Sequence, residues 1–434
     1  MEYFYEDAPP GMQQPGLEPQ HAPEELLEIE KNILTADLNL VNMKINEILH
    51  ILSQYNAMPR QKTRVEYKIE LRKLFSRFFS YNEELMEYIM KLFNPHECQA
   101  FLEAMDAPRP LTIRLNSLKA RKQELLQSLT SRGVQAEALD EAFKVGLQIN
   151  SSKVPIGATT EYLAGQYMLQ SASSWLPVMA LGPKPGETVL DMASAPGGKT
   201  SHIAQLMDND GVIVANDFKK PRTTALFYNL QRLGVRNCII TNYDGRKLPS
   251  SLKNFDRVLL DAPCTGLGVI GRDPTIKVNR NTRDIQRAAH LQRELLRAAI
   301  DHCKVGGVIV YSTCSVAVEE NEAVVDYVVR NRYVKIEDTG INLDSRIYTK
   351  FGANRFHDRI KFCVRVFPHM HNLDGFFICK LRKTKDGPRG EKGEQERKKV
   401  KTLADKNKKA SMLKKKEKKK AKKRKQFLLQ GMGC

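Results

Sequence analysis

The stretch Leu190-Asp191-Met192-Ala193-Ser194-Ala195-Pro196-Gly197-Gly198-Lys199-Thr200 decides the fold of this chain. An apolar run ends at an aspartate, breaks into Pro-Gly-Gly and continues in a helical pattern, which predicts a strand, a tight turn and a helix start. Glycines at such a turn admit a ligand close to the backbone, and free N–H groups at a helix start favour electronegative groups. The stretch therefore predicts a site for a carboxylate, a ribose or a phosphate, with an ordinary Gly-rich turn as the alternative.

Two familiar phosphate-binding motifs do not fit this turn. A Gly-x-x-x-x-Gly-Lys-Thr loop needs glycine at the position of Ala193, so the match to ATPases and kinases is poor. The dinucleotide pattern Gly-x-Gly-x-x-Gly is absent as well. The ligand must therefore be inferred from the residues around the turn.

Hydrophobic content and cysteine pattern limit the class of protein. With 434 residues, 41% of them hydrophobic, the chain can form two or three domains with cores of their own. Its eight cysteines show no Cys-x-x-Cys spacing, which argues against a zinc site and against the disulfide scaffold of a secreted domain. No apolar run approaches the roughly 18 residues of a membrane span. We therefore expect a soluble intracellular protein with neither a metal nor a membrane partner.

Most of the net charge lies in the last segment. The whole chain carries a formal charge of +19, and 382–434 contains 22 Lys and Arg against 6 Asp and Glu. Such a block is typical of a disordered tail that binds polyanions or directs a protein to the nucleus and nucleolus. A purely solubilising tail is the alternative.

Changes in residue pattern divide the chain into five segments. The first is acidic and Pro-rich and is predicted to be disordered, and the second has apolar residues at the three- and four-residue steps of helices. In the third, strand and helix patterns carry scattered basic residues. The predicted segments are a disordered leader (1–23), a helical region (24–105), a small α+β unit (106–157), an α/β domain (158–381) and a disordered Lys-rich tail (382–434). The basic residues of the small unit are Arg109, Arg114, Lys119, Arg121 and Lys122, which suit phosphate contacts or a solvated surface.

Strand and helix patterns alternate through the α/β domain. A helix is predicted over 161–181, before the Gly-rich stretch, and apolar runs at 212–217, 238–241, 256–261 and 308–311 alternate with helical patterns. This alternation predicts a doubly wound, mainly parallel sheet with helices on both faces. Ligands of such sheets bind beyond the carboxyl ends of the strands.

Four acidic residues fall at or just after predicted strand ends: Asp191, Asp217, Asp244 and Asp261. Because parallel strands end at the same edge, we expect these residues to line a single crevice. Asp217, about 20 residues beyond the Gly-rich turn, is suited to hold a ribose diol, and Asp244 is placed near an adenine. With the turn, these positions indicate a nucleoside with a charged amino-acid tail, S-adenosyl-L-methionine.

Two cysteines follow strands at the same edge. Cys264 lies in Asp261-Ala262-Pro263-Cys264-Thr265-Gly266 and Cys314 in Thr313-Cys314-Ser315. A thiol becomes a nucleophile once its pKa is lowered, and a strand end beside a helix start can lower it. A single cysteine is more often a small buried hydrophobe, which is our interpretation of Cys238, Cys303, Cys363 and Cys379. The pattern alone leaves open which of the two strand-end thiols is the nucleophile.

These motifs resemble those of a known family. Segments 191–200, 261–266 and 313–315 are similar to the RNA cytosine-C5 methyltransferases of the Nop/Sun (Fmu) superfamily. Further segments resemble its nucleolar branch, which modifies large-subunit rRNA and assists ribosome assembly; they are 154–159, 161–165, 242–246 and 367–377. The resemblance extends from roughly residue 60 to 381.

The resemblance implies a Rossmann-like, S-adenosylmethionine-dependent methyltransferase fold for 158–381, and a role in RNA binding for 106–157. It makes Cys314 the nucleophile and Cys264 the second cysteine, which helps release the product by expelling the first. The residues that it places against the cofactor are Ala193, Ser194, Ala195, Pro196, Gly197, Gly198, Lys199, Asp217, Asp244 and Asp261.

The chemistry explains these residue types. Cytosine C5 is too poor a nucleophile to accept a methyl group, but a thiolate that adds to C6 turns C5 into an enamine-like carbon. Asp261 is placed to hydrogen-bond the N3/N4 edge and stabilise the protonated ring. Cys264 is one candidate for the base that removes the C5 proton. Because the target base must leave its stack, single-stranded or locally opened RNA is expected.

The expected function is methylation of cytosine C5 in large-subunit rRNA with a role in large-subunit biogenesis, in the nucleolus. The expected partners are the large-subunit rRNA precursor and pre-ribosomal assembly factors. The main alternative is an assembly factor that binds pre-rRNA and whose methylation is dispensable or lost. Cys264, Cys314 and Asp261 favour the enzyme, because a binding module has no need for both thiols. A DNA or tRNA cytosine methyltransferase is a weaker alternative.

Overall fold

A computed structural model describes residues 37–57, 61–139 and 143–389. The predicted leader, 1–23, and residues 390–434 of the predicted tail lie outside the described residues. The chain divides into two compact units, Met1–Gln99 and Ala100–Cys434.

Three helices make up most of the described part of the first unit: α1 (Leu38–Ser53), α2 (Arg64–Phe78) and α3 (Glu83–Leu92). Each begins after a residue whose side chain accepts a backbone hydrogen bond from the first turn, as helix starts require; these residues are Asp37, Thr63 and Asn82. The apolar steps of the sequence form the buried face of α1, which consists of Val41, Ile45, Ile48, Leu49 and Leu52.

The second unit begins within helix α4 (Pro95–Asp106) and continues into a small α+β unit. The first elements of this unit are β1 (Leu111–Leu115), α5 (Lys122–Ser131), β2 (Val134–Ala138) and β3 (Gly146–Ser152). Strand β3 pairs antiparallel with both β1 and β2. Alternate residues of these strands and one face of α5 enclose a separate core.

The helix predicted over 161–181 is wrong. The segment contains a short helix, a strand and a second short helix: α6 (Thr160–Leu163), β4 (Tyr167–Leu169) and α7 (Leu176–Leu181). Gly165 interrupts the helix with a φ of +75°, where a Cβ atom would lie 1.9 Å from the Arg232 carbonyl oxygen. Strand β4 pairs with β1, so the small sheet has the order β2-β3-β1-β4 and extends beyond the predicted boundary at residue 157.

The α/β domain alternates strands and helices as predicted. Its elements up to the loop that contains Cys264 are β5 (Thr188–Asp191), α8 (Gly198–Leu206), β6 (Val212–Asn216), α9 (Lys220–Arg232), β7 (Cys238–Thr241) and β8 (Phe255–Asp261). The elements that follow are α10 (Ile276–Asn279), α11 (Thr282–His302), β9 (Cys303–Thr313), α12 (Glu322–Asn331), β10 (Arg332–Glu337), β11 (Lys350–Phe351), β12 (Asn354–Arg355), β13 (Val364–Val366), α13 (Pro368–His371) and β14 (Phe376–Pro388).

The large sheet has the strand order β10-β14-β9-β8-β5-β6-β7, and β13 pairs with β14. Strands β7, β6, β5, β8 and β9 are parallel, while β14 runs antiparallel to β9 and β10. The chain proceeds from β5 outward to β7 and then returns to β8 on the other side of β5. Because the direction of winding reverses there, a crevice opens beyond the carboxyl ends of β5 and β8.

The predicted start of the tail at residue 382 is wrong. Strand β14 continues to Pro388, paired with β10, which the sequence analysis did not predict. Lys383, one of the residues counted as part of the tail, is buried and donates a 2.6 Å hydrogen bond from Nζ to the Cys303 carbonyl. A polar, Lys-rich sequence forms a strand here because the sheet pairs its backbone groups.

None of the helices in the described ranges is long and apolar enough to cross a membrane. Within the same ranges, no cluster of three or more His, Cys, Asp or Glu side chains could hold a metal ion.

Candidate active site

The Gly-rich turn connects the end of β5 to the start of α8. Ser194 anchors the turn, since its N–H and its hydroxyl both donate to the Asn216 carbonyl at the end of β6, at 2.9 Å each. Gly197 has a φ of +101°, and a Cβ atom there would approach Leu226 to 2.9 Å. The turn is therefore held against α9 and β6 and leads into the free N–H groups of α8.

Asp217 follows β6 and contacts the same turn. Its Oδ2 accepts a 3.2 Å hydrogen bond from the Ala195 N–H, and its Oδ1 accepts one of 2.9 Å from the Lys219 N–H. Arg222 Nη1 also lies 3.4 Å from Oδ2. A carboxylate accepts about four hydrogen bonds, so one acceptor position remains for a ligand. The next residue, Phe218, is 69% exposed and offers an apolar ring beside the carboxylate.

Asp244 lies beyond β7 and is engaged by a neighbouring cation. Arg246 donates to both of its carboxylate oxygens, at 2.7 Å in the shortest contact, and also contacts Glu294 on α11. The hydrogen bonds and charge of Arg246 hold the pKa of Asp244 below its usual value. The residue is on the expected edge, with an arginine at its side that the sequence analysis did not place there.

Asp191, at the end of β5, is buried beneath the turn. Thr200 on α8 donates a 2.8 Å hydrogen bond to its Oδ2. Burial outweighs this bond and raises the pKa of Asp191 to about 7. Asp191 therefore supports the turn from below. Asp217 is almost equally buried, at 2% exposure, whereas the Asp244 side chain is 22% exposed.

An ion pair joins the Gly-rich turn to the end of β8. Lys199 Nζ on α8 lies 2.7 Å from Asp261 Oδ2 at the end of β8, and Ser312 on β9 donates a 2.7 Å hydrogen bond to Asp261 Oδ1. The Lys199 side chain is 13% exposed and the Asp261 side chain 27%. A cation and a hydroxyl thus hold the Asp261 carboxylate at the mouth of the crevice.

The two predicted cysteines meet at this edge. The sulfurs of Cys264 and Cys314 lie 3.2 Å apart, although the residues are 50 positions apart in the chain. The adjacent Cys314 thiol and burial raise the pKa of Cys264 well above its usual value. The two sulfurs are thus within hydrogen-bond distance, and the Cys264 thiol can donate to the sulfur of Cys314.

A buried carboxylate behind the two cysteines was missed by the sequence analysis. Glu320 accepts hydrogen bonds from Thr265 and Ser315, which directly follow the two cysteines, and from Gln292 on α11. The hydroxyl residues beside each cysteine were the available signal, because a buried hydroxyl needs a partner. Their common partner lies outside both motifs, so spacing did not reveal it.

One predicted basic residue does not lie on a cationic surface. Arg114 on β1 is 1% exposed and points into the protein, where its guanidinium donates to the Gly198 carbonyl at 2.5 Å and to the Ser201 hydroxyl at 2.8 Å. The prediction of a surface phosphate contact at Arg114 is wrong, because the guanidinium satisfies carbonyl and hydroxyl groups at the start of α8. Lys119 is also engaged, by the carbonyls of Ala164 and Arg232.

The groups at this edge fit S-adenosylmethionine. Asp217 and Asp244 offer carboxylate oxygens to hydroxyl and amino groups, and Phe218 offers a ring face to an adenine. The first turn of the nine-residue helix α8 offers N–H groups to a carboxylate. These are the acceptors, ring and donors that a nucleoside with an amino-acid tail requires.

Comparison with known proteins identifies the family. A model described as "16S rRNA methyltransferase RsmB/F" matches residues 178–382, and its ferredoxin-like domain matches residues 85–156. The tRNA (cytosine(49)-C(5))-methyltransferase of Pyrococcus abyssi is 35% identical over 320 residues, which cover 74% of this chain and 99% of that protein. This chain belongs to the Nop/Sun superfamily of RNA cytosine-C5 methyltransferases. Membership confirms the predicted fold class and S-adenosylmethionine as the cofactor.

Within the superfamily, higher identities link the chain to large-subunit enzymes. The 25S rRNA (cytosine-C(5))-methyltransferase of Schizosaccharomyces pombe is 49% identical, over 81% of this chain and 59% of that protein. The human 28S rRNA (cytosine(4447)-C(5))-methyltransferase is 48% identical, over 85% of this chain and 46% of that protein. The chain thus spans about half the length of these relatives.

The fold agrees with a solved structure. A methyltransferase homologue from Pyrococcus horikoshii superposes with a TM-score of 0.64 at 37% identity, and the match covers 70% of this chain and 96% of that chain.

Proposed function

We propose that this protein methylates cytosine C5 in large-subunit rRNA through a covalent adduct between Cys314 and cytosine C6. The observation that carries the mechanism is the 3.2 Å separation of the Cys264 and Cys314 sulfurs beside the Lys199–Asp261 ion pair. The choice of RNA is supported by the 48% and 49% identities to large-subunit enzymes, against 35% to a tRNA enzyme.

The Cys314 thiolate adds to C6, so that a sulfur–carbon bond forms and the electrons of the C5–C6 double bond become available at C5. The carboxylate of Asp261 accepts hydrogen bonds from the N4 amino group and the protonated N3, which stabilises the charge that develops on the ring. Lys199 orients this carboxylate through the 2.7 Å ion pair. S-adenosylmethionine, when bound, supplies the electrophilic methyl group that C5 accepts.

Release reverses the addition. When a base takes the C5 proton, the electron pair of the C5–H bond restores the C5–C6 double bond, the sulfur–C6 bond breaks, and Cys314 leaves as a thiolate with the electrons of that bond. The neutral Cys264 thiol donates a hydrogen bond to the departing sulfur and so lowers the barrier to expulsion. The resemblance to the family assigns Cys264 to product release and Cys314 to nucleophilic attack, and the 3.2 Å separation of the two sulfurs supports this proposal.

Location and partners follow from the same proposal. Large-subunit rRNA is made and assembled in the nucleolus, and the segment 382–434, with its 22 Lys and Arg, suits targeting to a polyanion-rich compartment. The proposed partners are the rRNA precursor and pre-ribosomal assembly factors. The two cysteines distinguish the methyltransferase from an assembly factor, because methyl transfer requires them and binding of pre-rRNA does not.

The experiment measures methyl transfer from labelled S-adenosylmethionine to large-subunit rRNA precursor together with the covalent protein–RNA adduct. Cys314→Ala should lose both signals, whereas Cys264→Ala should accumulate adduct and turn over slowly. Cys238→Ala is the matched control, since Cys238 is half-buried like the other two cysteines. Small-subunit rRNA and tRNA are offered in parallel, and transfer to either in preference to the large-subunit precursor would overturn the choice of RNA. Binding of the precursor by wild type with no transfer and no adduct would establish the assembly factor instead.

A further inference from the structure

Glu320 is placed behind the two cysteine loops and is completely buried. Its Oε1 accepts hydrogen bonds of 2.9 Å from the Thr265 N–H and 2.9 Å from Gln292 Nε2. Its Oε2 accepts bonds of 2.5 Å from the Thr265 hydroxyl and 2.5 Å from the Ser315 hydroxyl. One carboxylate thus receives four hydrogen bonds at a site with 0% exposure.

These bonds connect two separate loops. Thr265 directly follows Cys264 in the loop after β8, and Ser315 directly follows Cys314 in the loop after β9. The strands are neighbours, with Asp261 opposite Ser312, but each continues into its own loop. Glu320 is therefore a bridge between the residues adjacent to each cysteine.

The bridge itself is fixed from both sides. The Tyr311 hydroxyl donates a 2.5 Å hydrogen bond to the Glu320 carbonyl, and Asn321 Nδ2 donates one of 2.9 Å to the Ser315 carbonyl. Gln292 Nε2 also donates a 3.0 Å bond to the Pro263 carbonyl, on the other side of Cys264. Glu320 and its neighbours thus leave both loops little freedom to shift relative to each other.

A buried carboxylate costs free energy unless donors surround it. Burial raises the pKa of Glu320, and the hydrogen bonds from Ser315, Thr265 and Gln292 act against that shift. An apolar side chain would fill the space without this cost, but it could not accept hydrogen bonds from both loops. The hydrogen bonds of Glu320 therefore fix the positions of the two loops relative to each other.

We propose that Glu320 is a positioning residue that holds Cys264 within hydrogen-bond distance of Cys314 so that the product is released. The inference rests on the proposed function, in which Cys264 expels Cys314 from C6. Without the carboxylate the two loops relax independently, and a displacement of about 1 Å is enough to reduce a catalytic step by about 100-fold.

The first test uses Glu320→Gln, which preserves size but replaces one acceptor oxygen with a donor. We expect the steady-state level of covalent adduct to rise at least about tenfold over wild type, as in Cys264→Ala, while the Kd for S-adenosylmethionine changes by less than about twofold. The double variant with Cys264→Ala should release product no more slowly than Cys264→Ala alone. Glu161→Gln is the matched control, because Glu161 is also a buried carboxylate that accepts side-chain hydrogen bonds, away from the cysteines.

A second test needs no RNA. Diamide oxidises two adjacent thiols to a disulfide, taking up their two protons and two electrons, and peptide mass spectrometry follows the Cys264–Cys314 bond. We expect the rate of this cross-link to fall about tenfold in Glu320→Gln and to stay unchanged in Glu161→Gln. Thr265→Val replaces the hydroxyl with a methyl group and keeps the backbone N–H bond to Glu320. It should slow both the cross-link and the product release, and it provides the test if Glu320→Gln does not fold.

The outcomes separate the two proposals. Wild-type rates of cross-linking and release in Glu320→Gln and Thr265→Val would overturn the positioning role and leave the proposed function standing. In a second outcome, the adduct level, the affinity for S-adenosylmethionine and the cross-linking rate all decrease in proportion to the folded fraction. This would also overturn the positioning role, because it would show that Glu320 is merely structural. A wild-type protein that forms no adduct and transfers no methyl group would overturn the proposed function, and with it the part of Glu320 in release.

Discussion

Lys199 and Asp261 form an ion pair 2.7 Å long between the start of α8 and the end of β8. Both side chains are more than two-thirds buried, so water screens their attraction less than it would at the surface. Lys199 Nζ also lies 5.3 Å from the centre of the Phe376 ring. The pair thus connects the Gly-rich turn to Asp261, the side chain that we propose contacts cytosine.

Replacing Lys199 with Met should lower the rate constant of methyl transfer by about 100-fold, because the Asp261 carboxylate loses the donor that orients it. We expect a smaller effect on the Kd for S-adenosylmethionine. Lys304→Met is the control, since Lys304 forms a Lys–Asp ion pair with Asp256 at an exposed site away from the crevice. Methyl transfer under single-turnover conditions measures the difference, and equal rates in the two variants would contradict the role of Lys199.

Asp191 makes stability depend on pH. Its pKa is about 3.9 in an unfolded chain and about 7 in the folded protein, because burial disfavours its charged form. Between these values the folded state holds a proton that the unfolded state has lost, so stability decreases as pH rises from 4 to 7. The decrease is at most about 4 kcal/mol and is complete above pH 7.

Asp191→Asn should remove this decrease. Urea unfolding followed by the fluorescence of Trp175, the single tryptophan, measures it at several pH values. The unfolding free energy of wild type minus that of the variant should fall from pH 4 to pH 7 and then stay constant. A difference that does not fall over this interval would show that Asp191 is already ionised in the folded protein.

At the scale of elements, the small α+β unit joins the methyltransferase domain at the end of α9. Asn116 Nδ2 donates 2.8 Å hydrogen bonds to the carbonyls of Gly165 and Leu233, and Arg232 donates a 2.7 Å bond to the Tyr162 carbonyl. The Arg232 guanidinium also stacks 4.0 Å from the centre of the Tyr162 ring. The junction therefore has almost no space at Gly165.

Gly165→Ala should destabilise the protein by about 2 to 4 kcal/mol, since the new methyl group meets the Arg232 carbonyl and the backbone has a positive φ. Gly340→Ala separates the two causes, because Gly340 has the same φ of +75° with nothing within 4 Å of a Cβ atom. It should cost only about 1 kcal/mol. Urea unfolding compares the variants, and equal losses would mean that the junction yields to accommodate the methyl group.

At the scale of the molecule, charge is concentrated in residues 390–434, which contain 18 Lys and Arg. Deleting this segment should weaken RNA binding and flatten its dependence on salt, because fewer counterions are released from the phosphates. The deletion begins after Arg389, since residues 382–388 belong to β14. A Gly/Ser segment of the same length is the control for length. Titration of RNA at several salt concentrations gives the slope, and an unchanged slope would contradict a contribution of this segment to affinity.

Local pattern predicted much of the fold and site in this chain. Apolar runs that end in acids correspond to β5 and β8, and they placed Asp191 and Asp261 at the edge where the structure has them. The family motifs indicated both cysteines. The helix over 161–181 was predicted wrongly because its apolar residues are shared by a strand and two short helices, and the contact that interrupts it comes from Arg232, more than 60 residues away.

The order of residues by itself determined the alternation of strands and helices, the position of the Gly-rich turn, and the acids and thiols at strand ends, because these depend on periodicity and on the backbone freedom of a few neighbouring residues. Only the tertiary structure decided that Cys264 meets Cys314 at 3.2 Å, that Lys199 pairs with Asp261, that Glu320 bridges both cysteine loops, and that Arg114 turns inward. The physical reason is that each of these contacts joins different elements, and their partners are set by the packing of the sheet and its helices.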